Sequence, residues 1–269
     1  MPHKYLLVEG IPTYLTHRGS TTLPERPPDL GRGEVVMCLH DCGGNARVFD
    51  ATLDRLSGKH SPIAFDQPGH GRSGGLDSLG SIERMAAFSR ALMDKLGLER
   101  PVVLGHGMGG AVALEIALAA PDALRALVLC ATGARLPISE LQLERTRRVT
   151  EGKQRRSLAP VGLTSAAPPE LQRRAVMESL RTDPRALRGD LIACRDWDAA
   201  SRLASLALPT LVISGDEDEG PAAGQAELLA TGIPGAQQRV IAKAARQIPL
   251  EQPEALSEAV EGFLEGLAP

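Results

Sequence analysis

The sequence predicts an α/β fold in which a mostly parallel sheet carries helices on both faces, and two observations predict it. Short apolar runs of strand length alternate with longer segments whose apolar residues recur at helical spacing. In addition, the apolar run Val102–Leu104 leads through a glycine-rich turn directly into a helical pattern of small residues. Both patterns are typical of sheets in which each buried strand is followed by a helix.

The predicted elements begin with an antiparallel hairpin over Tyr5 to Tyr14, which a loop rich in glycine and proline follows. Six later runs are short and apolar, as buried strands of a parallel sheet are. They are Val35–Leu39, Ile63–Asp66, Val102–Leu104, Leu127–Cys130, Thr210–Ser214 and Gln238–Ala242. Five segments with helical spacing are predicted helices: Ala46–Leu56, Ser81–Leu96, Gly110–Ala119, Ala222–Leu229 and Pro253–Leu267. Together with the hairpin, the runs predict eight strands.

The segment 136–204 breaks this alternation, because it is helix-prone and has no strand-like run. It predicts a helical cap, inserted after the sixth strand, over a core domain formed by residues 1–135 and 205–269. Open α/β sheets bind ligands at the carboxyl edge of their strands, and the cap would cover that edge. A basic stretch within the cap, 145–156, favours a solvated helix face over contact with an anionic ligand, since most charge runs of this length face water.

Composition limits the classes of partner. The formal net charge of -3 gives no reason to expect nucleic acid or an anionic membrane. Aromatic residues make up 3% of the chain, which is too few for platforms that stack bases. No apolar segment approaches the ~20 residues of a membrane span, and the first residues lack the pattern of a signal peptide, so we expect a cytoplasmic protein. The expected partner is a small-molecule ligand or substrate, and an oligomer remains open.

The four cysteines do not predict a disulfide framework or a metal site. Cys38, Cys130 and Cys194 lie in or beside apolar runs, where cysteine behaves as a small buried residue. Cys38 and Cys42 are spaced like half of a zinc knuckle, but the sequence has no second pair of ligands that would complete such a site. We therefore expect no metal and no cofactor.

Five motifs in a fixed order carry a resemblance to a known family. They are Leu39–Gly44, Asp66–Ser73, Gly105–Gly110, Gly215–Asp218 and Gln247–Pro253. Over nearly its whole length the chain resembles the α/β-hydrolase superfamily, particularly the branch of esterases, lactonases and C–C hydrolases. The resemblance implies the α/β-hydrolase fold, with a mostly parallel eight-stranded sheet, helices on both faces and a helical cap insertion. It also identifies the third motif as the nucleophile elbow, where the family pattern is G-x-S-x-G.

The catalytic triad that the resemblance implies is degenerate. Gly107 stands where the elbow carries serine, and glycine has no side chain that can attack a carbonyl. Arg246 stands where the histidine usually lies, and a guanidinium stays protonated near neutral pH. Asp218 occupies the position of the acid. None of the six histidines lies beyond His106 in the sequence. The final loop therefore cannot supply the histidine of a triad, and an ordinary serine esterase is excluded.

The oxyanion loop departs from the family as well. It reads His40-Asp41 where the family usually has His-Gly, which places a carboxylate where negative charge should be stabilised. Asp41 is the predicted catalytic residue, a general base whose pKa a shielded pocket raises and which His40 orients. In an equally weighted alternative, His40 makes buried loop contacts and Asp41 caps the following turn. Cys42, His106 and Met108 are expected at the pocket or the oxyanion loop, with Cys42 a spectator and His106 structural.

Two further expectations concern the degenerate triad positions. Asp218 and Arg246 are expected to form an ion pair that holds the last loop, although Arg246 is also suited to grip an anionic substrate group. Gly107 is explained structurally, because glycine adopts the strained conformation of the elbow freely.

Two functions of different classes remain open at this point. The first is Ser-independent chemistry on a small carbonyl compound bound between core and cap, such as a lyase, isomerase, cyclase or water-mediated step. The second is a catalytically inactive pseudo-hydrolase that binds a small molecule or a partner protein. A closed cavity of ligand size with Asp41 directed into it favours the first, and a collapsed cleft favours the second.

Overall fold

A computed structural model describes residues 2–24, 26–220 and 224–267, and these residues contain one eight-stranded sheet. Its strands are β1 (His3–Val8), β2 (Ile11–His17), β3 (Val35–Leu39), β4 (Ser61–Phe65), β5 (Val102–His106), β6 (Ala126–Cys130), β7 (Thr210–Gly215) and β8 (Gln237–Ile241). The order across the sheet is β1-β2-β4-β3-β5-β6-β7-β8. Six neighbouring strands, β4, β3, β5, β6, β7 and β8, are parallel to one another. In contrast, β2 pairs antiparallel with both β1 and β4. The predicted fold class is confirmed.

Helices pack on both faces of the sheet. The helices of the described residues are α1 (Asp50–Leu56), α2 (Ile82–Leu96), α3 (Met108–Ala119), α4 (Glu140–Thr150), α5 (Pro169–Ser179), α6 (Pro184–Asp196), α7 (Gln225–Gly232), α8 (Ile248–Glu251) and α9 (Pro253–Glu265), of which α4, α5 and α6 do not pack on the faces of the sheet. Side chains of β5 alternate between the two faces, as the pleat of a strand requires. Val103 packs in the core beneath α2 and α3, whereas Val102 and Leu104 pack in the core beneath α1 and α9. The centre of the sheet is therefore buried on both sides, whereas the edge strands β1 and β8 have exposed side chains.

The observed bounds stay close to the predicted ones. The predicted helix Ala46–Leu56 consists of a 3-10 turn, Ala46–Phe49, followed by α1. The helix predicted to begin at Gly110 begins two residues earlier, because the elbow turns directly into α3. The predicted helix Ala222–Leu229 is observed over Gln225–Gly232, and its residues 222 and 223 lie outside the described part of the chain.

Residues 136–204, which we call the inserted segment, connect β6 to β7 and contain α4, α5 and α6. The end of this segment is tied to α3 through one buried acid. Glu115 accepts a hydrogen bond of 2.9 Å from the indole of Trp197 and forms an ion pair of 2.8 Å with Arg202. These contacts position α6 above the carboxyl edge of the sheet. In the part of the chain that the structure describes, no helix is long and apolar enough to cross a membrane.

Candidate functional site

A cavity of about 470 Å³ lies between the carboxyl edge of the sheet and the inserted segment. Its volume falls in the range of small-molecule sites. The loop after β3 contributes Asp41 and Cys42, and the last loop contributes Arg246. Apolar side chains of the inserted segment cover most of the remaining surface, among them Val149 and Leu191. The cleft is not collapsed, and Asp41 lies on its surface.

The nucleophile elbow has its expected backbone but no side chain. Gly107 has φ 55° and ψ -118°, a conformation that strains residues with a Cβ. The turn is held on both sides, because the N–H of Gly107 donates to the carbonyl of Cys130 at 3.0 Å and its own carbonyl accepts from the Thr132 hydroxyl at 2.7 Å. The structural explanation of Gly107 is consistent with this geometry.

The carboxylate of Asp41 fills the space that a side chain at the elbow would need. A Cβ placed on Gly107 would lie 2.1 Å from Oδ1 of Asp41 and 2.2 Å from its Cγ. The same Oδ1 accepts the backbone N–H of Met108 at 2.8 Å. In the hydrolase elbow, the N–H of the residue after the nucleophile is a donor of the oxyanion hole. In this chain that donor is already bound to an anion of the protein itself.

Arg246 forms a two-pronged ion pair with Asp41. Its Nε lies 2.9 Å from Oδ2 and its Nη2 lies 3.1 Å from Oδ1, the fork geometry that makes arginine–carboxylate bonds strong. The two side chains are largely buried, with 12% of Asp41 and 21% of Arg246 exposed. Each charge is therefore compensated by the other at the floor of the cavity.

The expected ion pair between Asp218 and Arg246 is wrong. Among the described residues the guanidinium contacts Asp41 instead, while Asp218 accepts the N–H of Gly220 within its own turn at 2.9 Å. The reason lies in the path of the chain: the loop after β8 returns across the sheet edge, where His106 donates to the carbonyl of Arg246 at 2.8 Å. That bond places the guanidinium beside the buried carboxylate, which needs a countercharge more than the partly exposed Asp218 does.

The expectation of a raised pKa for Asp41 is also wrong. Burial by itself raises the pKa of this carboxyl, but the charge and hydrogen bonds of Arg246 and the N–H of Met108 outweigh burial and hold the pKa far below its ordinary value. The same pairing raises the pKa of Arg246. Asp41 is an ionised carboxylate whose oxygens are occupied, and it is a weak base.

His40 does not orient the Asp41 carboxylate. Its Nδ1–H donates to the backbone carbonyl of Asp41 at 2.9 Å, and its Nε2 accepts the N–H of Gln67 at 3.1 Å. Burial and then the neighbouring His70 lower the pKa of His40 to about 4, so the ring is neutral. The buried loop contacts of the alternative interpretation are observed. The carboxylate of Asp41, however, caps the start of α3 and not the following turn, which its backbone carbonyl closes by accepting from Gly44.

Of the three remaining site residues, Cys42 and His106 line the cavity, whereas the side chain of Met108 does not. Burial lowers the pKa of His106, whose ring holds the last loop. Met108 is buried and acts at the site through its N–H. The sulfur of Cys42 lies 3.3 Å from that of Cys194 on α6, and this hydrogen bond together with burial raises the pKa of the Cys42 thiol well above its usual value. A thiol held protonated is a poor nucleophile, which agrees with a spectator role.

A buried pair that the sequence interpretation missed joins α6 to the core. Nε2 of His70 lies 2.8 Å from Oδ2 of Asp190, and its Nδ1 lies 3.0 Å from the carbonyl of Pro68. Both ring nitrogens face acceptors, an arrangement that favours the protonated ring. The same Oδ2 accepts the N–H of Gly43, two residues from Asp41, at 2.8 Å. One signal was present in the sequence: Asp190 falls at helical spacing with apolar Leu187 and Cys194, on the face that is buried.

The comparisons with known proteins agree with this fold. The profile of the Alpha/beta hydrolase family matches residues 36–259, and the chain belongs to this family. It is 28% identical over 249 residues to the putative carbamate hydrolase RutD of Azorhizobium caulinodans, covering 87% of this chain and 92% of that one. It is 32% identical over 248 residues to the polyketide synthase ThaQ of Burkholderia thailandensis, covering 87% of this chain but 12% of that protein.

Solved structures show the same likeness. The enol-lactonase from Burkholderia xenovorans LB400 superimposes with a TM-score of 0.84 over 97% of this chain and 99% of its own, at 22% identity. A thermophilic esterase from Thermogutta terrifontis superimposes with a TM-score of 0.83 over 99% of both chains, at 26% identity. At 22% identity, the similarity to the enol-lactonase concerns the fold alone. Among the described residues, no group of histidine, cysteine and acidic side chains is arranged to hold a metal ion.

The overlap of Asp41 with the elbow is tested by Gly107→Ala. We expect the free energy of unfolding to fall by about 2–4 kcal/mol, because the new methyl group is strained and meets the carboxylate. Adding Asp41→Gly should remove the steric part, so that a double-mutant cycle in urea shows coupling of at least about 1 kcal/mol. Gly97→Ala is the matched control, since Gly97 has a similar φ of 65° and open space around its Cβ position. Equal costs for both alanines would refute the overlap.

The ion pair is tested by Arg246→Met. Leaving Asp41 buried without its cation should cost about 3 kcal/mol of unfolding free energy near neutral pH. Because the folded-state pKa of Asp41 is depressed, the stabilisation is present above the ordinary value of 3.8 and is lost as pH falls toward the folded value. Urea denaturation should therefore show a constant difference between the two proteins from about pH 6 to 8 and a smaller one below about pH 4. Arg145→Met, which removes an exposed cation, is the control, and a difference that grows in acid would contradict the assignment.

The pair of His70 and Asp190 predicts the opposite pH trend. Burial lowers the pKa of His70, but the charge and hydrogen bond of Asp190 outweigh it and raise the pKa above 6.5. Its stabilisation is thus complete below that value and is lost as pH rises through the folded pKa. His70→Gln should cost about 2 kcal/mol at mildly acidic pH and less in alkali, measured by urea denaturation. His60→Gln is the control, because burial lowers the pKa of His60, and a cost of His70→Gln that does not vary with pH would exclude the imidazolium.

Proposed function

We propose that this member of the α/β-hydrolase family binds a small, largely apolar molecule in the cavity and carries out no acyl transfer there. One observation carries the proposal: the Asp41 carboxylate lies in the nucleophile space and already accepts the N–H of Met108. An acyl-transfer site needs an attacking group, a base and free donors for the oxyanion. In this chain an ionised pair occupies all three places.

The cavity supports the binding part of the proposal. Its volume and its mainly apolar surface suit a small organic molecule. The inserted segment would act as the cap, with residues 136–204 over a core of residues 1–135 and 205–269. A carbamate, a lactone and an ester, the compounds in the names of the similar hydrolases, each contain a carbonyl, and a ligand of this class is therefore our first choice.

A second candidate is Ser-independent chemistry on such a carbonyl compound, of the lyase, isomerase, cyclase or water-mediated kind. The observation in its favour is that Arg246 lies on the cavity surface and its Nη1 makes no hydrogen bond to the residues that the structure describes. A free guanidinium N–H can polarise a carbonyl oxygen. The depressed pKa of Asp41 counts against it, since proton abstraction near neutral pH needs a stronger base.

The proposal is tested by binding and turnover measured side by side. Nile red, a neutral apolar dye, should bind saturably at one site. Val149→Trp, which fills the cavity, should weaken this binding at least about tenfold, whereas Val240→Trp, on exposed β8, should not. Esters and lactones should not be hydrolysed above background, and a fluorophosphonate should leave no adduct in the mass spectrum.

Each outcome has a definite meaning. Ester turnover with a trapped acyl-enzyme would overturn the proposal and the second candidate together. Conversion of a carbonyl compound without an adduct, lost in both Asp41→Asn and Arg246→Met, would establish the second candidate in place of pure binding. Dye binding that Val149→Trp leaves unchanged would reject the cavity as the site.

A further inference from the structure

The cavity carries an excess of positive charge at its rim. Its surface includes two carboxylates, Asp41 and Glu178. Asp41 is paired with Arg246, and Glu178 lies 2.9 Å from Nε of Arg181 and 3.4 Å from Nε of Arg47. Both acids are therefore neutralised by arginines of the protein.

Two rim arginines, in contrast, have no partner within the described ranges. Arg145 on α4 and Arg155 in the loop after it both line the cavity, and neither forms an ion pair or a hydrogen bond with a described residue. A third, Arg156, is half-buried, donates to the backbone carbonyls of Ser179 and Thr182, and lies near the carboxylate of Asp183. Arg145 and Arg155 are therefore the two cavity arginines that lack an acidic partner in the described residues.

The helical geometry of α4 explains why some residues of the basic stretch line the cavity and others do not. Gln142, Arg145, Thr146 and Val149 recur at three- and four-residue spacing and all line the cavity. Arg147 lies outside that face and is paired with Glu144 at 2.8 Å and Glu151 at 2.6 Å. The expectation that stretch 145–156 faces water holds for Arg145 and Arg155, which are exposed, but both also line the cavity.

We infer that the ligand is an amphipathic carboxylate, whose apolar body fills the cavity and whose anionic group is held by Arg145 and Arg155. This inference rests on the proposed binding function and names the class of its ligand. A guanidinium matches the two oxygens of a carboxylate. Arg145 and Arg155 are exposed at the cavity and have no acidic partner among the described residues, so they are free to bind the anionic group of a ligand. A neutral ligand would make no use of either cation.

The test compares decanoate with 1-decanol by calorimetry on the full chain. Decanoate should bind at least about tenfold more tightly, and the preference should shrink as salt is raised. Arg145→Gln combined with Arg155→Gln should weaken decanoate binding much more than decanol binding and so remove the preference. Arg147→Gln, which removes an equally basic residue of the same helix, is the matched control and should leave the preference intact.

The outcomes separate this inference from the proposed function. Equal binding of decanoate and decanol would overturn the carboxylate but keep the cavity as a binding site. Tighter binding of decyl phosphate than of decanoate would also overturn the carboxylate assignment. Absence of binding by both ligands, together with absence of Nile red binding, would reject the binding function itself. A preference that Arg147→Gln removes as well would show general surface attraction and exclude the two-arginine site.

Discussion

The bond between Asp41 and Arg246 determines the rest of the site. A carboxylate this deeply buried is costly unless a cation compensates it, and the fork of Arg246 does so with two hydrogen bonds. The carboxylate can reach the N–H of Met108 only because residue 107 has no Cβ. The three departures from the family pattern are therefore one structural unit: a serine would collide with Asp41, and Asp41 without Arg246 would leave an isolated buried charge.

This unit also fixes the protonation states at the cavity floor. The pKa of Asp41 is depressed and that of Arg246 is raised, so both stay charged across the physiological range. Burial lowers the pKa values of His40 and His106, whose rings are occupied by backbone groups. A hydrolase floor needs a group that changes its proton near neutral pH. This floor is instead an arrangement of compensated charges, which is why we propose ligand binding in place of acyl transfer.

The fold and the backbone turn at Gly107 could be predicted because their signals are local. The alternation of strands and helices, the glycines around residue 107 and the family motifs all lie within short stretches of sequence. The partner of Arg246 could not be predicted in the same way, since 205 residues separate it from Asp41 and the choice depends on how the last loop crosses the sheet edge. The pair of His70 and Asp190 could be predicted only in part. An acid on the apolar face of a helix indicates that it has a buried partner but does not identify that partner.

The attachment of α6 has a consequence for how molecules enter and leave. Asp190 binds His70 and the N–H of Gly43, and Cys194 contacts Cys42, so this helix is fastened to the same loop that carries Asp41. Swinging α6 outward would require breaking a buried charged pair and uncovering the cavity floor at the same time. The loop that follows α4 also lines the cavity, and its side chains are mostly exposed to solvent. Of the cavity walls, α6 is thus the one whose displacement would cost most.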